Sequence, residues 1–171
     1  MIFENLITEN KAAFLQKVKD VSSDLGIDPN WLMLCMWIEA RLNHRARNSM
    51  SGATGLIQFM PSTALGLGTT TEELAAMSNV DQMDYVYSYL EAYQWKMTSF
   101  VDVYFAIFFP RAIGKPSDYI LQTSSIAASK IAQQNSGYDI NKDNQVTVAE
   151  VQSKILSFVP AGMEYLFKKK T

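Results

Sequence analysis

Cysteine and histidine are almost missing from this sequence. One cysteine, Cys35, and one histidine, His44, occur among 171 residues, so no internal disulfide can form and the cysteine pairs of a zinc site are absent. His44 has no Cys or His companion and reads as an exposed residue following a helix. Charge of either sign is also sparse: fifteen Lys+Arg stand against seventeen Asp+Glu for a net charge of -2, which excludes the basic balance of a nucleic-acid binder. No apolar run approaches the roughly 18 residues of a membrane span, and the strongest candidate, Val103 to Phe109, reads as a buried helix. The opening Met1 to Asn10 lacks the basic flank and apolar core of a secretory signal. The expectation is a protein made in the cytoplasm, without a membrane span, that meets any target outside the cell only when another system delivers it.

What is present is a 48% hydrophobic fraction, enough for a chain of this length to bury about two-thirds of its unfolded surface in one domain. Helical spacing dominates. Ala13, Phe14, Lys17, Val18, Val21 and Leu25 mark a helix that should stop at Gly26. Asp28 and Pro29 then supply an N-cap and a first helical residue, and Trp31 to Glu39 is so uniformly apolar that it predicts a central helix. Asn48 to Gly55 is small and polar, a loop or irregular hairpin. Shorter helices are predicted from Pro61, closed by Gly66 or Gly68, and at a turn capped by Thr71. Longer ones are predicted over Asp81 to Trp95, Ser99 to Phe109, Ser117 to Asn135 and Val148 to Phe158, followed by a solvated Lys168-Lys169-Lys170 tail. No internal repeat or low-complexity linker divides the chain. The pattern is all-α, a single domain over 1–171 with a core of about 8–135 and a loop at 139–150.

Glu39 is the residue whose presence needs explaining. An acid at the end of an apolar helix, near the negative pole of the helix dipole, has its pKa raised by burial and by that dipole, as a general acid requires. The alternative is a helix-edge Glu39 paired with Arg41, Arg45 or Arg47, which would lower its pKa. Thirteen residues further on begins Gly52-Ala53-Thr54-Gly55-Leu56-Ile57-Gln58-Phe59-Met60-Pro61-Ser62-Thr63-Ala64, where two glycines permit tight turns and set a polar Gln58 between apolar neighbours. An amide there can both donate to and accept from an acetamido sugar.

Together, Ile38-Glu39-Ala40-Arg41-Leu42-Asn43 and the run from Gly52 to Ala64 resemble the soluble lytic transglycosylase family of the lysozyme superfamily. Ala40 stands where that family usually has Ser. The resemblance implies a lysozyme-like fold and cleavage of the peptidoglycan glycan strand between N-acetylmuramic acid and N-acetylglucosamine. It implies Glu39 as the catalytic acid and base, Gln58 and Met60 as sugar contacts, and Ser49, or else Asn48, as a substrate-contacting residue. The family's third motif is poorly kept: Phe108 occupies the place of a tyrosine whose hydroxyl helps orient the acid, leaving Tyr104, Tyr87 or Tyr93 as possible substitutes.

Ala40 to Thr71 contains no Asp or Glu. A second carboxylate, needed for hydrolysis by either stereochemical route, would have to come from Asp81, Asp84, Asp102 or Asp118, which read as solvated. With one carboxyl group and no catalytic cofactor, the substrate's own C6 hydroxyl is the available nucleophile, and the product is a 1,6-anhydromuramoyl end. The open alternatives are a muramidase on the same fold, a catalytically silent glycan-binding or structural protein, and a calcium-dependent interaction protein. A phage lysin, a virion component or a secreted effector would each fit.

Asp139 to Glu150 resembles an EF-hand calcium loop. Asp139, Asn141, Asp143, Gln145, Thr147 and Glu150 fall at loop positions 1, 3, 5, 7, 9 and 12, with position 7 offering its backbone carbonyl. Asn144 replaces the usual Gly at position 6 and is the next most tolerant residue for a left-handed conformation. A calcium ion here would be structural, tying the C-terminal helix to the body in an EF-hand-like helix-loop-helix.

Overall fold

The helices begin and end where capping chemistry permits. In the computed structural model, which describes residues 1–168, α1 (Lys11–Leu25) closes on Gly26 at φ 69°. The α2 helix (Pro29–Ala40) opens on the Asp28 carboxylate, which accepts from the Asn30 N–H at 2.8 Å. Next come α3 (Pro61–Gly66) and α4 (Thr71–Ala76). They lead to α5 (Asn79–Leu90) and α6 (Phe100–Phe108), capped by Ser78 and Ser99. The chain ends with α7 (Ala128–Gln134) and α8 (Val148–Leu156). β structure among the described residues is limited to isolated bridges, so the fold is all-α.

α2 is the axis of the molecule. Trp31 to Met36 are all buried, α1 packs against both α2 and α5, and α6 lies on α2. One hydrophobic cluster continues from Ile2 to Phe167, wider than the expected 8–135, because the apolar side of α8 (Val148, Val151, Ile155) also seals against it. The α2 helix is stopped by two consecutive non-glycine residues in the left-handed region, Arg41 and Leu42, at φ 52° and 62°. This costly turn sets Glu39 in the last turn of a rigid, buried helix.

Several boundaries differ from expectation. Thr70, not Thr71, caps α4 in a reciprocal box with Glu73. The helix expected to reach Trp95 ends at Leu90 and tightens into a 3-10 segment, Glu91–Lys96. Only Ala128–Gln134 of the expected 117–135 helix forms. Its first part runs extended, because the Leu121 N–H donates to the Val146 carbonyl at 2.8 Å and the Val148 N–H to the Tyr119 carbonyl at 3.0 Å. Tertiary pairing there outweighs local propensity. His44 is 5% exposed rather than solvated, held under the Glu9–Arg45 ion pair; burial pushes its pKa down. The last two lysines of the expected solvated tail lie outside the described residues. No helix among the described residues is long and apolar enough to cross a membrane.

Candidate active site

Glu39 lines a cleft of about 360 Å³. One wall comes from the glycine-rich segment through Ser51, Ala53, Ile57, Gln58 and Met60, with Asn48 at its start; the other comes from Ile107 and Phe108 on α6 and Asn135 after α7. Beyond the Gln58–Met60 wall a smaller recess of about 50 Å³ adds Thr63 and Tyr89.

None of the nearby arginines neutralises Glu39. Arg41 donates to the Trp37 carbonyl and stacks on its ring, Arg45 pairs with Glu9, and Arg47 pairs with Glu72. Desolvation therefore dominates and raises the Glu39 pKa to about 7, against a smaller downward pull from hydrogen bonding with the Tyr104 hydroxyl. A carboxyl group poised near neutral pH can give a proton in one step and take one in the next.

The glycine-rich segment is shaped by long-range contacts. Gly55 has φ 86°, and a Cβ there would sit 2.6 Å from Gln82 Oε1. Gln82, on α5 and fully buried, accepts from the Leu56 N–H at 3.0 Å and donates to the His44 and Leu74 carbonyls, each at 2.6 Å. One amide thus joins the turn after α2, the glycine segment and α4. Thr54 bridges to Arg47 on one side and Phe59 on the other. Gln58 is itself left-handed, at φ 53°, and its Nε2 donates to the Ala46 and Gly55 carbonyls at 3.2 and 3.1 Å. Its donor side is therefore engaged by backbone, leaving Oε1 as its polar face toward the cleft.

Of the sugar contacts expected from sequence, Gln58 and Met60 line the cleft, with Met60 46% exposed. Ser49 is exposed and lies off the cleft lining, where Asn48 and Ser51 stand instead. The Asn48 carboxamide oxygen accepts from the Met50 and Ser51 N–H groups at 2.9 and 3.1 Å, which turns Ser49 and Met50 outward. Tyr104 is 1% exposed, so it stands beneath Glu39 rather than on the cleft surface. Its hydroxyl makes a short hydrogen bond with that of Tyr138. Phe108 stacks on Tyr104 with centroids 5.7 Å apart and packs at a 43° tilt against Tyr138, 4.9 Å away. Sequence reasoning missed Gln82, Ser51, Asn135 and Tyr138; only Gln82, a polar residue on the apolar stripe of its helix, carried a local signal.

The four acids considered as partners stand elsewhere. Asp84 pairs with Lys17. Asp81 caps against Ser78. Asp102, expected to be solvated, is 9% exposed and accepts from Thr98, Ser99 and the Gly114 N–H. Asp118 is outside the cleft lining. Among the described residues, Glu39 is the one carboxyl group lining the cleft.

In the loop at 139–150, the Asp139 carboxylate accepts from the Asp143 and Asn144 N–H groups at 3.1 and 3.2 Å. Glu150 Oε1 accepts from the Ile140 and Asn141 N–H groups, and its Oε2 caps α8 with Thr147. Burial raises the Glu150 pKa, but these bonds outweigh it and hold the group below the ordinary range. Asn144 has φ 63°. No group of three His, Cys, Asp or Glu side chains gathers as a metal-holding cluster among the described residues.

The model of the family described as "Transglycosylase SLT domain" matches residues 17–98, a segment containing Glu39, the glycine-rich segment and Gln82. Over that segment, just under half of the chain, the sequence is similar to this family. No curated protein and no solved structure gives a significant match.

Proposed function

We propose that this chain is a peptidoglycan lytic transglycosylase in which Glu39 acts first as acid and then as base. The observation that carries the reading is a lone, half-buried carboxyl group lining an open cleft, with its pKa raised to about 7 by desolvation. Protonated Glu39 gives its proton to the glycosidic oxygen as the C1–O bond of N-acetylmuramic acid breaks, and the N-acetylglucosamine side leaves with a free 4-hydroxyl. The Glu39 carboxylate then takes the proton of the muramoyl C6 hydroxyl as O6 bonds to C1. Glu39 ends protonated, and no water is consumed. An attached hydroxyl carries the effective-concentration advantage of an intramolecular nucleophile, whereas a hydrolase needs a second carboxylate at about 5 to 9.5 Å. Gln58 Oε1, Ser51 and Asn48 offer polar contacts to an acetamido sugar, and Met60, Ile57 and Ile107 offer apolar ones. Mass spectrometry of fragments released from purified cell wall tests the chemistry. Products lighter by one water and resistant to borohydride are expected; reducible muramic ends as the main product would instead identify a muramidase.

The loop at 139–150 supports a second proposal, a structural calcium ion. The observation in its favour is Asn144 at φ 63°, the conformation that the sixth position of such a loop requires. Asp139, Asn141, Asp143 and Glu150 would supply side-chain oxygens, with Gln145 contributing its carbonyl and Thr147 the ninth position. The ion would draw together the Asp139, Asp143 and Glu150 carboxylates, which are held apart by their backbone hydrogen bonds here. Calorimetry with calcium tests it: binding that Asp139→Ala abolishes is expected, and no heat of binding would remove the ion from the account.

A further inference from the structure

The hydroxyls of two tyrosines lie on the buried side of Glu39. The first, on Tyr104 of α6, lies beside the carboxyl group. The second belongs to Tyr138, which follows α7, lies outside the family match, and has its N–H bonded to the Asn135 carbonyl at 2.9 Å. The two hydroxyls are hydrogen-bonded to each other, and the Phe108 ring that covers both carries no hydroxyl of its own. We propose that Tyr138 is a positioning residue for Glu39, acting through the Tyr104 hydroxyl, so that the C-terminal segment completes the catalytic centre begun by α2. The proposal rests on reading Glu39 as the acid.

The argument is one of proton count. The Tyr104 hydroxyl has one proton to donate and lone pairs with which to accept, and it is sealed from water at 1% exposure. When Glu39 is ionised, Tyr104 donates to it, and the Tyr104 oxygen takes its own hydrogen bond from Tyr138. When Glu39 is protonated, the chain reverses, with Glu39 donating to Tyr104 and Tyr104 to Tyr138. Either partner of the tyrosine pair can be the donor, so each state of an acid that must also serve as base finds its hydrogen bonds satisfied. Successive hydrogen bonds polarise one another, so Tyr138 strengthens the Tyr104 contact without touching the carboxyl group. The ionisable groups facing Glu39 are Cys35 on its own helix, Tyr104 on α6 and Tyr138 after α7. No cation competes with them among the causes acting on Glu39.

The test titrates the Glu39 carboxyl carbon by NMR, assigned through Glu39→Gln, in the wild type, Tyr138→Phe, Tyr104→Phe and the double variant. Cleavage kinetics against pH are measured on the same proteins. Loss of a bond donated to the carboxylate raises its pKa, so the midpoint should rise in Tyr138→Phe and further in Tyr104→Phe. The double variant should match Tyr104→Phe alone, because Tyr138 acts through Tyr104. In Tyr138→Phe, kcat should fall about three- to tenfold with KM nearly unchanged, the size of one lost hydrogen bond. Tyr138→Leu, which also removes the ring, should lower Tm where Tyr138→Phe does not. An unchanged Glu39 midpoint in Tyr138→Phe, or an undiminished Tyr138→Phe effect in the Tyr104→Phe background, would overturn the proposal. Failure of the wild type to cleave cell wall would overturn the transglycosylase reading alone, and the titration would still decide this one.

Discussion

Residues 17–98 and residues 100–168 contribute to the same cleft by different means. In the first region the working parts lie close together in the chain. Glu39 stands in the last turn of α2, the glycine-rich segment follows soon after, and Gln82 on α5 ties that segment to the turn after α2 and to α4 through three hydrogen bonds. In the second region, Phe108 lies far in sequence from Asn135 and Tyr138, and they meet only where α6 and the segment after α7 come together near Glu39. The first region matches a family model and the second does not. The contrast teaches that a carboxyl group and its glycine-rich turn can form one local unit, whereas the groups packed behind it need only arrive at the right place.

The largest effect should fall on the first region. Glu39→Gln is expected to reduce cell-wall lysis by about two to four orders of magnitude, measured as loss of turbidity clearance, while circular dichroism shows the fold intact. Its stability should shift the other way. Glu39 has a folded pKa of about 7 against 4.5 for the free group, so between those values the native state binds more protons than the unfolded one. Stability then falls as pH rises through that window, by up to about 3 kcal/mol. Urea melts should show the Gln variant more stable than wild type at pH 8 and equal to it near pH 4. Equal stability at both pH values would mean that the carboxyl group is not desolvated.

Gly55→Ala should destabilise the protein by about 2 to 4 kcal/mol, since it combines a left-handed φ with a Cβ 2.6 Å from Gln82 Oε1. Gln82→Leu should cost a similar amount by leaving the buried Leu56 N–H and His44 carbonyl unpaired and the Leu74 carbonyl with the Met77 N–H alone. Denaturant melts measure both, and a loss under 1 kcal/mol would show that the first region does not depend on its clamp.

Calcium should stabilise the second region, by about 2.7 kcal/mol at a hundredfold excess over Kd, with Asp139→Ala removing the gain. Superimposable melts with calcium and with chelator would leave the loop to its own hydrogen bonds. The smallest effect separates neighbours on one turn. Ser51→Ala should raise KM about two- to fivefold by removing a hydroxyl from the cleft wall, and Ser49→Ala should leave it unchanged. The reverse order would restore Ser49 as the sugar contact.

The sequence by itself determined the central helix, its start at Asp28 and Pro29, the isolation of Glu39 at its end, and the glycine-rich turn. Capping residues, apolar runs and glycine tolerance are local properties, which act before any tertiary contact exists. It also suggested Tyr104 as a substitute for the hydroxyl that Phe108 lacks. Only the tertiary structure decided that Tyr104 lies beneath the acid, with Tyr138 behind it, and that Ser49 turns outward while Ser51 faces the cleft. The same holds for burial of His44 and Asp102 and for the extended course of the chain before α7. The tyrosine pair, His44 and the chain before α7 depend on partners more than twenty residues away in sequence, while Ser49 and Asp102 are set by hydrogen bonds within about a dozen residues; hydrophobic spacing records which side of a helix is buried without recording what is buried against it.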